Sequence, residues 1–135
     1  MTYATKSDLY DRFGQIEIEQ LADKDNSADA AAIADTVARA LADADAEING
    51  YLEGVYQLPL ASTPRFLNSL ASDIARYYLA GSTVVEDIEK KYKFAIRSLE
   101  KINKEQIRLN IKEVTIGESP VIRRKRPPVF DFGGN

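Results

Sequence analysis

Apolar residues recur at helical spacing in three long segments of the chain. The clearest segment runs from about residue 28 to residue 54, where apolar side chains return every three or four positions and occupy a stripe about 100° wide on a helix. The opposite side carries Asp35, Arg39 and Asp43, and the arginine can pair with both acids at i±4. This pattern predicts the core helix of the protein. Its apolar stripe consists of Ile33, Val37, Leu41, Ala44, Ile48, Tyr51, Leu52 and Val55.

An aromatic elbow that contains proline is expected to follow this helix. Tyr51 and Tyr56 precede Pro59, and the two prolines Pro59 and Pro64 prevent the helix from continuing. Thr63 is the expected N-cap of the next helix, with Pro64 at its first position. The elbow therefore joins two helices that pack against each other.

Two further long helices are predicted after the elbow. The first runs to about Ala80, where Gly81 ends it. The second runs from about residue 84 to residue 104 and repeats the narrow apolar stripe. Its polar side carries acid-before-base pairs at i,i+4, which contribute only a few tenths of a kcal/mol each, so the apolar stripe decides the packing. These pairs are Glu86/Lys90, Asp87/Lys91, Glu89/Lys93 and Glu100/Lys104.

A short helix is predicted near the N-terminal end of the chain. Thr5 and Asp8 have the spacing of a capping box at its start, and Gly14 supplies a stop. Residues 16–22 are interpreted as a brief turn or second helix, followed by a polar break.

The character of the sequence changes after Asn110. Apolar residues alternate with polar ones, and prolines and glycines follow, which predicts an extended arm with at most a short strand or hairpin. The predicted fold class is therefore all-α. It is a small helical bundle of three long helices plus a short N-terminal helix over residues 1–110, with an extended basic C-terminal arm over residues 111–135.

The composition narrows the range of functions. The chain has 135 residues and contains neither cysteine nor histidine, which excludes disulfides and thiolate nucleophiles and removes the usual general base near neutral pH. No apolar run approaches the roughly 18 residues that span a bilayer, and no basic-then-apolar leader is seen. We therefore expect a soluble protein that stays in the compartment where it is made. An enzyme is still possible through carboxylates, lysine or tyrosine, but the commonest catalytic groups and the cysteine and histidine metal ligands are missing.

The net charge of −3 conceals an asymmetry along the chain. Residues 111–135 hold five bases against three acids, a net charge of +2, so residues 1–110 carry −5. A reader of duplex DNA would normally present a broad basic face, and an acidic body with a basic arm does not fit that class.

One acidic run superficially matches a calcium loop. Asp43, Asp45 and Glu47 have the alternating spacing of its opening, but Ile48 stands where such a loop needs glycine. A helix would also place Asp43 and Asp45 about 160° apart. A solvated helix face is the better interpretation.

Asp73 and Arg76 border the apolar side of their helix at i,i+3 spacing. We interpret them as a partly buried ion pair that holds the elbow, so that the structural elbow comprises Tyr51, Tyr56, Pro59, Asp73 and Arg76. The alternatives are a partner contact or a catalytic carboxylate at Asp73. The catalytic role would make the protein a carboxylate-dependent hydrolase, and it is the weaker hypothesis because no second acid or base is obviously fixed nearby.

The tyrosines and a basic cluster leave a second function open. The tyrosines could form a base-stacking platform, although their helical spacing favours packing in the core and elbow with hydroxyls at the rim. The basic cluster of the arm could touch phosphates or an acidic protein surface, or simply keep the arm solvated. The alternative function is thus a nucleic-acid-binding accessory protein that uses the arm. The tyrosines are Tyr51, Tyr56, Tyr77, Tyr78 and Tyr92, and the candidate contact residues of the arm are Arg123, Arg124, Lys125, Arg126, Phe130 and Phe132.

Four segments of the chain stand in a characteristic order and spacing. They are Tyr3-Ala4-Thr5-x-x-Asp8-Leu9-x-x-Arg12-Phe13-Gly14, Ala40-Leu41-Ala42-Asp43-Ala44-x-x-x-Ile48-x-x-Tyr51-Leu52, Tyr56-x-Leu58-Pro59-Leu60 and Asp73-Ile74-Ala75-Arg76-Tyr77-x-Leu79. Together they resemble the Mu-like phage and prophage family of small neck proteins, and the resemblance covers about residues 1–104. That family is in turn similar to the head–tail adaptors, or head-completion proteins, of long-tailed phages.

The resemblance implies a structural virion protein without catalysis or cofactor. Its subunits would assemble as a ring of about twelve copies below the portal, extend the DNA channel and offer a platform for tail docking. The implied partners are the portal protein, other neck or tail-completion proteins and further copies of the chain, with DNA passing through but not bound specifically. The implied location is the virion neck, and the host bacterial cytoplasm during assembly.

Overall fold

The computed structural model describes residues 2–109 and residue 111 and shows an all-α fold. Within these residues there are five α-helices and no strand, which confirms the predicted fold class. The three long helices are those predicted, while the N-terminal region forms two short helices. The helices are α1 (Lys6–Phe13), α2 (Gln15–Ala22), α3 (Ala30–Leu52), α4 (Arg65–Ala80) and α5 (Glu86–Asn103), with a 3₁₀ turn at Gly81–Thr83.

The two ends of α1 are set by two local signals. The Thr5 hydroxyl accepts a hydrogen bond from the Asp8 amide at 3.2 Å, and the Asp8 carboxylate accepts one from the Thr5 amide at 2.9 Å. This is the predicted capping box. Gly14 then ends α1 with φ of 96°, a conformation that is strained for a residue with a side chain, and α2 starts at once.

The predicted core helix forms as α3, with slightly tighter limits than its apolar pattern. Asp29 caps it by accepting a hydrogen bond from the Ala31 amide at 3.1 Å. The apolar stripe faces inward, and Val37, Ala44 and Ile48 are all buried. On its wet side Arg39 pairs with Asp35 at 2.9 Å.

The predicted cap of α4 is wrong by one residue. Pro64, not Thr63, is the N-cap, and α4 starts at Arg65 without a side-chain cap. The ring of proline fixes φ near the helical value but leaves ψ open, and here ψ is 149°, so Pro64 stays outside the helix. Sequence alone cannot decide ψ at this position, because the packing of the elbow determines it. Gly81 ends α4 as predicted.

The core lies around α4, which packs against α1, α2, α3 and α5. In contrast, α5 packs against α3 and α4 but touches neither α1 nor α2. Each helix contributes a side chain with no more than 1% exposure to this core, and complete burial of one such side chain contributes roughly 1.5–3 kcal/mol. Representative members, one from each helix, are Leu9, Ile18, Ile48, Ile74 and Leu99.

We expect Ile48→Ala to lower the free energy of unfolding by about 2–5 kcal/mol, because it opens a cavity in the packed interior. The matched control is Ile16→Ala, since Ile16 is 74% exposed and its truncation should change stability by no more than about 0.5 kcal/mol. Urea denaturation followed by circular dichroism measures both, at a protein concentration at which the chain is monomeric. Equal effects of the two substitutions would contradict this placement of the core.

Candidate interaction surface

The elbow between α3 and α4 is held by hydrogen bonds to the last residue of α5 and to the segment that follows it. Tyr56 is 7% exposed, and its hydroxyl accepts a hydrogen bond from the Leu109 amide at 3.1 Å. The Asn103 side chain donates to the carbonyl of Tyr51 at 2.9 Å. Pro59 lies exposed at the turn and follows a cis peptide bond. Residues far apart in sequence therefore hold the elbow.

The expected ion pair between Asp73 and Arg76 does not form. Instead, the Arg76 guanidinium meets Glu17 of α2 at 2.7 Å and Asp87 of α5 at 3.7 Å. It also lies 4.2 Å from the centre of the Phe13 ring. The i,i+3 spacing on α4 predicted that Asp73 would pair with Arg76. The neighbouring helices α2 and α5 instead bring the carboxylates of Glu17 and Asp87 within ion-pair distance of the Arg76 guanidinium. Arg76 thus joins four helices in the C-terminal half of α4 and does not hold the elbow.

Asp73 is half-buried, and it forms no ion pair within 4.0 Å with any of the residues that the structure describes. Burial raises the pKa of its carboxyl group, and the positive charges of Lys91, Arg12 and Arg76 oppose that rise. No hydrogen bond in the described part of the chain fixes a second acid or base to Asp73. The catalytic interpretation therefore gains no support from this geometry.

Three tyrosines and one carboxylate connect the long helices. The rings of Tyr77 and Tyr92 stack with centroids 3.8 Å apart and planes 10° from parallel. Glu47 of α3 accepts hydrogen bonds from the hydroxyl of Tyr78 and, at 3.5 Å, from that of Tyr92. Burial, with the hydrogen bond and charge of Glu47, raises the pKa of Tyr78. These three rings contact one another between helices, which supports the packing interpretation for them.

A clamp on the N-terminal segment was not anticipated from sequence. Tyr3 is 2% exposed, its amide donates to Asp45 at 2.9 Å and its hydroxyl donates to Asn49. The Asn68 side chain donates to the Tyr3 carbonyl at 3.0 Å and to Asp8 at 2.9 Å. The available signal was the i,i+4 spacing of Asp45 and Asn49 beside the apolar stripe of α3. Burial, followed by the charge of Asp45, raises the pKa of Tyr3 to about 12.

Several large apolar side chains remain exposed among the described residues. Phe94 and Val85 are 56% and 58% exposed and belong to α5 and its N-cap, while Ile16 of α2 is 74% exposed. Phe66 of α4 is 36% exposed. Exposed aromatic and aliphatic side chains on otherwise charged helices are typical of surfaces that another molecule covers.

The six arm residues that we predict to contact partners lie outside the described residues, so their role stays a prediction. Within the described residues, no group of three or more acidic, histidine or cysteine side chains is arranged to hold a metal ion. None of the helices formed there is long and apolar enough to cross a membrane. The arm residues concerned are Arg123, Arg124, Lys125, Arg126, Phe130 and Phe132.

Comparison with known proteins gives consistent matches over most of the chain. The family model described as Bacteriophage Mu, Gp36 matches residues 3–120, which include all five helices. The chain is 32% identical over 134 residues to Gene product J of Escherichia phage Mu, with 96% of this chain and 94% of that protein covered. It is 34% identical over 113 residues to the Mu-like prophage FluMu protein gp36 of Haemophilus influenzae, with 82% and 77% covered.

We expect Arg76→Ala to destabilise the protein by roughly 2–4 kcal/mol, because the Arg76 side chain is only 12% exposed and two carboxylates lose their partner. The matched control is Arg39→Ala, since Arg39 and its partner Asp35 are 68% and 67% exposed and such pairs contribute less than about 1 kcal/mol. Urea denaturation compares the two variants. An equally small loss of unfolding free energy in both variants would contradict the stabilising role assigned to Arg76.

The raised pKa of Tyr3 predicts a pH-dependent contribution to stability. The folded state retains the phenol proton more tightly than the unfolded state, so this stabilisation is complete below pH 10 and is lost as pH rises towards about 12. Near neutral pH we expect Tyr3→Phe to be less stable than the wild type by about 1 kcal/mol. That difference should disappear in urea denaturation series run between pH 10 and about 12. Both proteins carry the same lysines, so lysine titration cancels, and a constant difference would contradict the assignment.

Proposed function

The chain belongs to the family described as Bacteriophage Mu, Gp36, and on that basis we propose that it is a structural protein of the phage particle. Its proposed role is that of a head–tail adaptor, which forms a ring below the portal, extends the DNA channel and provides the platform on which the tail docks. The observation that carries this proposal is the family match over residues 3–120, which spans the same helices as the resemblance to head–tail adaptors. No catalytic step and no cofactor are part of it.

The architecture supports a role as a building block. The central helix α4 is covered by four other helices, so the body of the subunit is a packed unit that can transmit contacts without unfolding. At the same time, Phe94, Val85 and Ile16 leave apolar surface in water when the subunit is alone. Burying such side chains between subunits is a main source of stability in oligomers.

The acidic charge of the N-terminal half of the body supports a role around a DNA channel. Residues 2–52 hold eleven acids and four bases, a net charge of −7. A strongly acidic surface repels phosphates, so DNA can pass such a ring without adhering to it. The arm over residues 111–135, with its basic cluster and two phenylalanines, is proposed to reach the portal, a neighbouring subunit or the next neck protein.

The proposed partners are the portal protein, other neck or tail-completion proteins and about eleven further copies of the chain in a closed ring. The proposed location is the neck of the virion, with assembly in the host bacterial cytoplasm.

Size-exclusion chromatography with light scattering tests the proposal. Two samples are compared: the full chain alone, and the full chain mixed with the portal protein of the same phage. We expect a ring-sized species, at least at high concentration or on the portal, because the subunit interface is completed by neighbours. The control is the portal alone. A subunit that stays monomeric and never joins the portal would rule out the adaptor role.

A phage that lacks the gene gives an independent measurement of the same role. We expect electron micrographs of its lysates to show heads and tails that are not joined, and expression of the wild-type chain to restore complete particles. Normal particles from the deleted phage would contradict the proposal.

A further inference from the structure

The outward face of α5 is a basic stripe with a phenylalanine at its middle. Lys90, Phe94, Arg97, Lys101 and Lys104 follow one another at spacings of four, three, four and three residues, so they fall within about 80° on the α5 helix and its end. All five side chains are exposed, and Phe94 is 56% exposed. A phenyl ring surrounded by cations on a wet helix face contributes nothing to the core of its own subunit.

The stripe itself carries four bases and no acid. Between residues 90 and 108 there are seven bases and two acids, a net charge of +5, and the other acids of α5, Glu86, Asp87 and Glu89, lie in its first turn, before most of the stripe. Lys90 pairs with Glu86 at 3.6 Å and Lys93 with Glu89 at 3.5 Å, but both pairs are highly exposed and weak. Arg97, in the middle of the stripe, forms no ion pair within 4.0 Å inside the described region.

A complementary surface lies on another part of the same molecule. A cleft of about 380 Å³ opens between α1, α2 and the start of α3. Its lining combines apolar and aromatic side chains with two carboxylates, Glu19 and Asp23, and one base, Lys6. Ile16 at the cleft is 74% exposed. The lining residues used below are Tyr10, Ile16, Glu19, Gln20, Asp23 and Ile33.

The two surfaces cannot cover each other within one subunit. The basic stripe is on α5, the cleft is formed by α1, α2 and α3, and α5 touches neither α1 nor α2. The cleft belongs to the segment of residues 2–52, whose net charge is −7, whereas the stripe belongs to a segment of +5. Every copy of the chain therefore presents one charged apolar surface of each sign.

We propose that the α5 face of one subunit docks into the α1–α2–α3 cleft of a second copy. The Phe94 ring enters the cleft and packs on Ile16 and Ile33, and Arg97 meets the carboxylates of Glu19 and Asp23. The cleft is large enough, since a buried cavity of about 150 Å³ already takes up benzene. This proposal rests on the proposed function in one respect: it takes self-assembly from that function, and so a second copy of the chain as the molecule that fills the cleft.

The contact joins two different patches, so it is heterologous. Each subunit uses its α5 face towards one neighbour and its cleft towards the other, and such contacts generate a ring when the rotation closes. A duplex nucleic acid is the other molecule that a basic stripe could bind. The −7 charge of the N-terminal segment favours a second copy, because it supplies the matching acidic surface and repels phosphates.

The first test compares Phe94→Ala with Phe66→Ala, a matched control in which the phenylalanine is 36% exposed but belongs to neither surface. Self-association of the full chain is measured by light scattering over a range of concentrations. We expect Phe94→Ala to weaken association at least about tenfold, as expected for a central aromatic anchor, and Phe66→Ala to leave it unchanged. Circular dichroism verifies that both variants are folded.

The second test reverses the charge of each surface in turn. The double variant Arg97→Glu/Lys101→Glu makes the α5 face acidic, and Glu19→Lys/Gln20→Lys makes the cleft basic. Asp23 is kept because its carboxylate accepts the amides of Ser27 and Ala28 at 3.0 and 2.9 Å. Each double variant should fail to self-associate. An equimolar mixture of the two should assemble again, because each then meets a neighbour of opposite charge.

The outcomes separate the interface from the function. If the wild type assembles and the Phe94 and charge variants assemble equally well, this interface is wrong while the adaptor proposal stands. If the wild type never associates, alone or on the portal, both are wrong. If Arg97→Glu/Lys101→Glu instead loses affinity for a 30-bp duplex at low salt and still self-associates, the α5 face is a nucleic-acid surface and the proposal is overturned.

Discussion

Burial of α4 among four other helices is the constraint on which the rest of the structure depends. Its sixteen residues include eight buried ones, and these lie on more than one side of the helix. Such a helix is stable only when other elements cover it on several sides, because each apolar face left in water would lower the stability of the fold. α3 and α5 cover two sides and the short helices α1 and α2 cover another. The short helices, which would not be stable alone, form because α4 supplies their apolar contact.

Polar contacts then select one arrangement of these helices. Asn68 joins α4 to the N-terminal segment and to the cap of α1, Arg76 joins it to α2 and α5, and Glu47 accepts hydroxyls from α4 and α5. Each of these groups would be costly to bury without its partner, so an alternative packing that separated them would be disfavoured. Apolar burial therefore drives folding, while a small number of polar contacts determine which helix faces meet.

The topology also separates charge in space. The acidic residues concentrate in the first half of the chain, and the bases concentrate in α5 and the segment after it. Because α5 packs on α3 and α4 and away from α1 and α2, the basic stripe of α5 lies apart from the helices α1 and α2 of the acidic N-terminal segment. A subunit with two unlike surfaces suits directional assembly, in which each copy contacts two neighbours through different patches. This arrangement agrees with the proposed assembly into a ring.

The sequence by itself determined the local structure. Apolar spacing located the three long helices, the capping box at Thr5 and the glycines at positions 14 and 81 set helix limits, and the packing of the tyrosines followed from their spacing. Only the tertiary structure decided the ψ angle of Pro64, the pairing of Arg76 with Glu17 and the clamp on Tyr3. Helix signals involve residues within four positions, whereas Arg76 and Glu17 are 59 residues apart and Tyr3 and Asp45 are 42 apart. Such partners are brought together by the packing of helices on α4. No local pattern in the sequence specifies which of several carboxylates will pair with Arg76.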